Sequence, residues 1–308
     1  MKSKQKKILF VYNPKAGKAK IKTHLSDIIE VFNQARYEII IYATQKQYDA
    51  KEIVTNIEKD TFYYIVCSGG DGTLDEVVTG MLEGKVNLPI GYIPAGSTND
   101  FAKSLEISSN MVDAAREIIK ENIFKCDVGK FNEDAFVYIA AFGLFTEVSY
   151  NTDQQLKNSL GHMAYILEGI KSLSSIKSYQ LQIQSDELCE SGEFIYGMIS
   201  NSVSVGGFKN LTGKDVELND GMFEVTLVKR PQNILELNEI ATAFMTQKLE
   251  SKHIVRFKTS SLNIKSEEEV QWTLDGEYGG EHKHVCITNL PQAIGVLCNK
   301  YNTVISEE

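Results

Sequence analysis

The chain is 308 residues long, 43% hydrophobic and 24% charged, which suits two globular domains of ordinary size. Its formal net charge of -9 argues against wide nucleic-acid binding, which needs a basic face. Five scattered cysteines (Cys67, Cys126, Cys189, Cys286, Cys298) show no C-x-x-C spacing, so neither a disulfide framework nor a zinc site is expected, and buried thiols in a reducing, cytoplasmic setting are.

Eight lysines and no acid fall in the first 22 residues. They read either as a positive rim for a polyphosphate or an anionic membrane, or as a solvated tail. Ile8 to Tyr12 is an apolar run of strand length, ended by Asn13-Pro14, and suits a parallel strand covered on both faces. Leu25, Ile28, Ile29 and Phe32 recur at helical spacing, Tyr37 to Tyr42 reads as strand, and Ala50, Ile53, Val54 and Ile57 form a second helical face. Tyr63 to Cys67 and Pro89 to Ile93 are further strands, separated by a helix over Leu74 to Leu82. Asn110 is positioned to cap a helix running to Lys120. Repeated βα units predict an α/β nucleotide-binding domain over residues 1–127, with a parallel sheet and helices on both faces.

After Asp127 the pattern changes. Ala135 to Phe142 reads as strand, Leu160 to Leu173 as helix, and Tyr179 to Gln184 alternates strictly, as a half-buried antiparallel strand does. Short strands follow at Phe194 to Ser200, Phe223 to Val228, Val255 to Lys258, Leu262 to Lys265, Val270 to Leu274 and Val285 to Thr288, with one helix at Ile234 to Leu249. The expectation is a β-sandwich-like domain over 128–289, with about 290–308 returning to the first domain. No stretch reaches the ~20 apolar residues of a membrane span, so a lipid substrate would be met from the water side.

The strongest chemical signal is Gly69-Gly70-Asp71-Gly72-Thr73, between a strand and a helix. Glycines let the backbone approach a phosphate, and the N–H groups of the turn and helix start face the anion. Thr73 adds a hydroxyl. Asp71 would be repelled by phosphates unless Mg²⁺ or nearby lysines intervene. The spacing is neither the Rossmann fingerprint nor a Walker A loop, since Gly17-Lys18 is followed by Ala19.

Asn13-Pro14-Lys15-Ala16-Gly17, then Gly69 to Thr73 with Leu74-Asp75-Glu76, then Pro94-Ala95-Gly96-Ser97-Thr98-Asn99-Asp100-Phe101-Ala102 resemble the successive signatures of the diacylglycerol-kinase-like lipid kinase family. Gly143, Lys157 with Gly161 and Tyr165, Asp220-Gly221, and Leu274-Asp275-Gly276-Glu277 extend the resemblance over nearly the whole chain, most closely to single-polypeptide bacterial members. It implies an ATP-dependent, Mg²⁺-requiring kinase, cytoplasmic and peripheral to the inner membrane face, with diacylglycerol as the leading lipid. Monomer and homodimer both stay open. Asn13, Pro14, Lys15, Ala16, Gly17, Thr44, Gly69, Gly70, Asp71, Gly72, Thr73 and Ser97 would line the ATP site, with Lys15 the cationic partner of phosphate. Two positions depart from the family pattern: Asp75 stands where Asn is usual and Ser97 where Thr is usual.

The resemblance also places a structural Mg²⁺ at Asp220, with Glu217 and Met222 contributing backbone carbonyls, and gives Asp127 the role of an acid linking that ion to the active site through water. Read alone, Asp220-Gly221 is a hairpin turn. Trp272 to Glu277 reads as a strand entering a tight turn at Gly276; Asp275 and Glu277 lie two apart, so in an extended segment both would point the same way and suit paired acid work. The resemblance places the proton acceptor in this segment and leaves open which residue it is. Two rival readings are a NAD-kinase-like enzyme, which shares the Gly-Gly-Asp-Gly loop, and a non-catalytic nucleotide- or lipid-binding regulator, supported only by Asp75. His24, His162, His253, His282 and His284 form no triad or metal spacing.

Overall fold

The structure is a computed structural model, and it describes residues 6–144, 146, 173, 176–205, 208–209, 216–246, 248–249 and 251–300. The expected helix at 160–173, with Lys157, Gly161 and Tyr165, lies almost wholly outside the described residues. The chain divides into two compact units, residues 1–127 with 292–308, and residues 128–291.

The first unit follows the βα alternation. Its elements are β1 (Lys7–Tyr12), α1 (Ala16–Ala19), α2 (Ile21–Gln34), β2 (Glu38–Ala43), α3 (Asp49–Thr55), β3 (Tyr64–Gly69), α4 (Asp71–Glu83), β4 (Ile90–Pro94), α5 (Asp100–Ser104) and α6 (Met111–Ile118). β5 (Ile123–Phe131) then leads into the second unit. β2, β1, β3 and β4 pair in that order, all parallel. Val296 and Leu297, the end of the long final strand, add in parallel beside Ile90 and Gly91. Every residue of β3 and β4 is buried, as a parallel strand covered on both faces requires. α2 lies against α6 and β2, α3 against α4, α4 against β3, and α6 against β4. The expected cap is present: Asn110 Oδ1 accepts the Val112 and Asp113 N–H groups at 3.0 and 3.1 Å.

At the amino ends of β1, β2 and β3 the Glu121 carboxylate gathers three groups. It takes the Lys6 ammonium at 2.6 Å, the Tyr63 hydroxyl at 3.2 Å and the Tyr37 hydroxyl. Lys6 also stacks over the Tyr63 ring, 4.1 Å from its centroid.

The second unit contains β6 (Asp134–Phe136), β7 (Ile139–Gly143), β8 (Tyr179–Gln184), β9 (Cys189–Ser200), β10 (Ser204–Val205), β11 (Phe208–Lys209), β12 (Phe223–Lys229), α7 (Ile234–Thr246), β13 (Ile254–Thr259), β14 (Ser261–Leu274) and most of β15 (Glu277–Leu297). Pairing is antiparallel in the order β13, β12, β9, β7, β14, β15. The strands do not form two separately bonded sheets. β7 and β8 each pair with both β9 and β14, so these four close into a ring. The ring is possible because β9 and β14 are 12 and 14 residues long, each long enough to serve both neighbours. The separate strands expected at 262–265 and 270–274 are therefore one strand.

Alternation sorts the side chains. In β8, Tyr179, Leu181 and Ile183 point inward to a core with Phe131, Phe136, Phe142, Phe194 and Trp272. Neighbouring Ile195, Tyr196 and Met198 belong to a second cluster with Leu237, Ile240 and Phe244 of α7. The same alternation corrects one expectation: Cys286 is exposed, because buried Val285 and Ile287 flank it. Cys189 is exposed too, whereas Cys67, Cys126 and Cys298 are buried.

Candidate active site

Because β1 to β4 are parallel, their carboxyl ends share one edge, where open α/β sheets bind ligands. Three backbone hydrogen bonds tie these ends together. Asn13 N donates to Ser68 O at 2.8 Å, Thr44 N to Tyr12 O at 2.9 Å, and Ala95 N to Gly69 O at 2.7 Å. The loops carrying Asn13 to Gly17, Thr44, Gly69 to Thr73 and Ser97 are thus held side by side. Thr44 and Thr73 are buried, while Lys15 and Ser97 are exposed.

Side chains brace the loops. Asn13 Oδ1 accepts the Lys15 N–H at 2.9 Å, closing the Pro14 turn, and Asn13 Nδ2 reaches Thr73 Oγ1 at 3.4 Å. Ala16 N donates to Asn13 O at 3.3 Å. Gly17, Lys18 and Ala19 all have positive φ, at 51°, 64° and 61°, so α1 is a left-handed kink rather than a regular helix. Two non-glycine residues in that region cost about 1 kcal/mol or more each. A Cβ on Gly17 would lie 1.8 Å from Ala95 O, so the first and fourth loops touch backbone to backbone.

Gly70 and Gly96 meet in the same way. A Cβ on Gly96 would come within 2.6 Å of Gly70 Cα, whereas one on Gly70 would clear Gly96 Cα by 3.4 Å. Asn99 fixes the fourth loop, accepting the Gly96 N–H and donating to Gly96 O, both at 2.9 Å. The buried Tyr92 hydroxyl donates to Gly69 O at 3.2 Å. α4 starts directly on the glycine loop, with Gly70 as its N-cap residue, so the positive end of its dipole faces the loop.

Asp71 has a protein partner where the sequence suggested Mg²⁺ or lysine. Its carboxylate accepts the N–H groups of Asp100 and Phe101 at 3.1 and 3.4 Å, capping α5 and joining the third loop to the fourth. Glu76 plays a similar part, accepting the Tyr48 and Ala50 N–H groups at 2.9 and 3.2 Å at the start of α3. Both caps join residues more than 25 positions apart, so no local sequence signal announces them. Asp127 is fully buried, and its Oδ1 accepts the Gln292 N–H at 2.7 Å.

In the second unit the Asp275–Glu277 segment is not extended, which corrects the expectation that the two carboxylates point the same way. Leu274 pairs with Glu277 across a two-residue turn in which Asp275 and Gly276 have φ of 50° and 85°, as a type I′ turn demands. The Asp275 carboxylate is buried and accepts three backbone N–H groups: Val137 at 2.5 Å, Tyr138 at 3.0 Å and Ile139 at 2.9 Å. Its own N–H donates to Ile139 O at 2.8 Å. Glu277 is exposed at the far side of the turn.

Around the expected metal loop, Glu217 is exposed and Asp220 Oδ1 accepts the Met222 N–H at 3.0 Å. Asp220 Oδ2 lies 3.3 Å from the Lys258 ammonium, which also lies 3.1 Å from Glu224 Oε1. Glu224 and Lys258 are cross-strand partners on β12 and β13. Sequence reasoning missed both, since the pairing that joins them spans 34 positions. Among the described residues, no group of three or more His, Cys, Asp or Glu side chains is arranged to hold a metal.

Residues 7–131 match the diacylglycerol kinase catalytic domain, and residues 139–298 match the YegS C-terminal NAD kinase beta sandwich-like domain. A diacylglycerol kinase of Bacillus subtilis is 35% identical over 89% of this chain and 91% of its own length. One from Staphylococcus haemolyticus is 35% identical over 97% and 90%. The chain belongs to the diacylglycerol-kinase-like lipid kinase family. A crystal structure of a diacylglycerol kinase from Bacillus anthracis superposes on this lipid kinase with a TM-score of 0.74 at 25% identity, covering 97% of this chain and 98% of that one. Among the described residues of the kinase, no helix is long and apolar enough to cross a membrane.

Proposed function

We propose that this chain transfers the γ-phosphoryl group of ATP to the hydroxyl of diacylglycerol, giving phosphatidic acid. The observation that carries this is the convergence of four strand-end loops on one edge of a parallel sheet, in a chain of this family. Phosphoryl transfer asks a protein mainly for positioning and charge neutralisation. The N–H groups at the start of α4 and the backbone of Gly69 to Thr73 receive the phosphates. Asn13, Pro14, Ala16, Gly17, Thr44 and Ser97 complete the ATP site, and Lys15 supplies a mobile positive charge at its mouth. The parallel sheet of the first unit, with helices on both faces, forms the nucleotide domain. The second unit takes the lipid from the membrane surface facing the cytoplasm.

Glu277 fits the base better than Asp275. The Asp275 oxygens already accept three backbone N–H groups, which makes it a positioning residue that fixes the turn. Glu277 stands exposed beyond that turn and accepts the proton of the lipid hydroxyl as it attacks. Asp127, buried and bonded to Gln292, is also a positioning residue.

Mg²⁺ fits twice. One ion would accompany ATP and would supply neutralisation of charge on the phosphates. The second ion would sit in the loop of Glu217, Asp220 and Met222, whose donors are oxygens, as a hard cation prefers. Asp220 and the nearby buried Glu224 set two carboxylates against the Lys258 ammonium, so the locality can take further positive charge. An ion there would hold the loop rigid.

The test is radiolabelled ATP with diacylglycerol, phosphatidylglycerol, sphingosine, undecaprenol and NAD in parallel. Label is expected in the diacylglycerol product. Label on NAD instead would favour the NAD-kinase-like reading, and label nowhere the non-catalytic one.

A further inference from the structure

The loop proposed to hold the second Mg²⁺ already has a cation beside it, supplied by the chain. Lys258 reaches from β13 to place its ammonium 3.3 Å from Asp220 Oδ2, the oxygen that the loop's own hydrogen bond to Met222 leaves over. The same ammonium lies 3.1 Å from Glu224 Oε1. Glu224 is 5% exposed, and neither of its oxygens has a hydrogen-bond partner among the described residues, so this ion-pair contact answers a buried carboxylate. The Lys258 side chain is 41% exposed, on the strand that ends the sheet order among the described residues.

We propose that Lys258 is a built-in competitor for the divalent cation at Asp220. The ammonium spans Asp220 and Glu224 and offsets one of their two negative charges. When Mg²⁺ takes Asp220, two like charges cannot share one carboxylate oxygen at this distance. Lys258 then withdraws from Asp220 and stays on Glu224, whose oxygens have hydrogen-bonding capacity to spare. The exchange replaces a singly charged cation at Asp220 by a doubly charged one. It also makes the affinity of the loop for Mg²⁺ weaker than its oxygen donors alone would give, so that the site fills or empties with the supply of the ion.

This inference rests on the metal reading proposed above, and the experiment separates the two. Mg²⁺ is titrated calorimetrically into the full chain, stripped with EDTA and desalted, with no nucleotide present. The variants are Lys258→Met, Lys258→Gln as a polar alternative should the first fold poorly, Asp220→Asn, and Lys265→Met as a control at an exposed lysine of β14. Removing a positive charge so close to a divalent ion should tighten Mg²⁺ binding at least about tenfold in either Lys258 variant. The control should match the wild type, and Asp220→Asn should abolish binding. If the Lys258 variants bind no tighter while Asp220→Asn still abolishes binding, the competitor role is wrong and the metal site stands. If Asp220→Asn has no effect, or no variant binds Mg²⁺, both ideas fall.

Discussion

Asp275 is the first residue of a two-residue turn and Glu277 the residue that follows it, the first with its carboxylate buried against the N–H groups of Val137, Tyr138 and Ile139, the second exposed. Their substitutions should therefore fail in different ways. Glu277→Gln should lower kcat by ~10²–10⁴-fold with the melting temperature unchanged. Asp275→Asn puts an amide among N–H donors and leaves at least one unsatisfied, at a cost of about 1–3 kcal/mol. Its melting temperature should drop, and activity should fall with the disordered turn. Thermal melts and steady-state kinetics on both variants decide it; equal effects on Tm would remove the division of roles.

Gly70 and Gly96 make a second contrasting pair. Gly70→Ala should fold normally, since its φ of -86° is open to any residue and its Cβ clears Gly96 Cα by 3.4 Å. Its ATP KM should rise, because the new methyl stands on the phosphate loop. Gly96→Ala would bring a Cβ to 2.6 Å from Gly70 Cα and 2.7 Å from Asn99 Oδ1, so it should destabilise the first unit as well. A Gly70→Ala protein with unchanged KM would move the phosphates elsewhere.

Asp71 invites a three-way comparison. Asp71→Ala loses the cap of α5 and should cost about 0.5–2 kcal/mol. Asp71→Asn keeps an acceptor oxygen and should keep most of that stability. If the carboxylate serves only as a cap, Asp71→Asn retains wild-type kcat; a large loss of kcat with intact Tm would show that its charge acts on the reaction.

Much of the first unit is legible because its signals are local. The βα alternation, the glycine loop before α4 and the Asn110 cap each lie within a few residues of what they specify. The second unit resists because its rules are non-local. Nothing near Ser266 shows that 261–274 is one strand, since its partners are 181–184, 140–142 and β15. Likewise Asp275 reads as a potential base until its partners, about 137 positions away, are known. The tight turn at Asp275-Gly276 is legible from its Asp-Gly pair; that the turn parts the two carboxylates is not, because the N–H groups that take Asp275 lie far away in sequence.

The Glu224 site predicts a pH dependence. Burial, opposed by the Lys258 ammonium, pushes this carboxyl up to about 7 from its ordinary 4.5. The folded state then holds the proton more tightly than the unfolded state. Stability from this group is fully present below about 4.5 and declines as pH rises to about 7. Melting temperatures in EDTA should show Glu224→Gln gaining on the wild type across that window. Parallel pH profiles for the two proteins would exclude it.

The Glu121 cluster bears on how the first unit comes together. Lys6 and Glu121 are 115 positions apart, and Tyr37 and Tyr63 come from two other strand starts. Their contacts can close only after β1, β2, β3 and α6 have docked, so this latch forms late in folding, when most of the loop-closure entropy has already been lost. A bond made after the transition state slows escape from the native basin without hastening entry. A latch closed in that order would lengthen the lifetime of the folded sheet from the edge farthest from the phosphate loops.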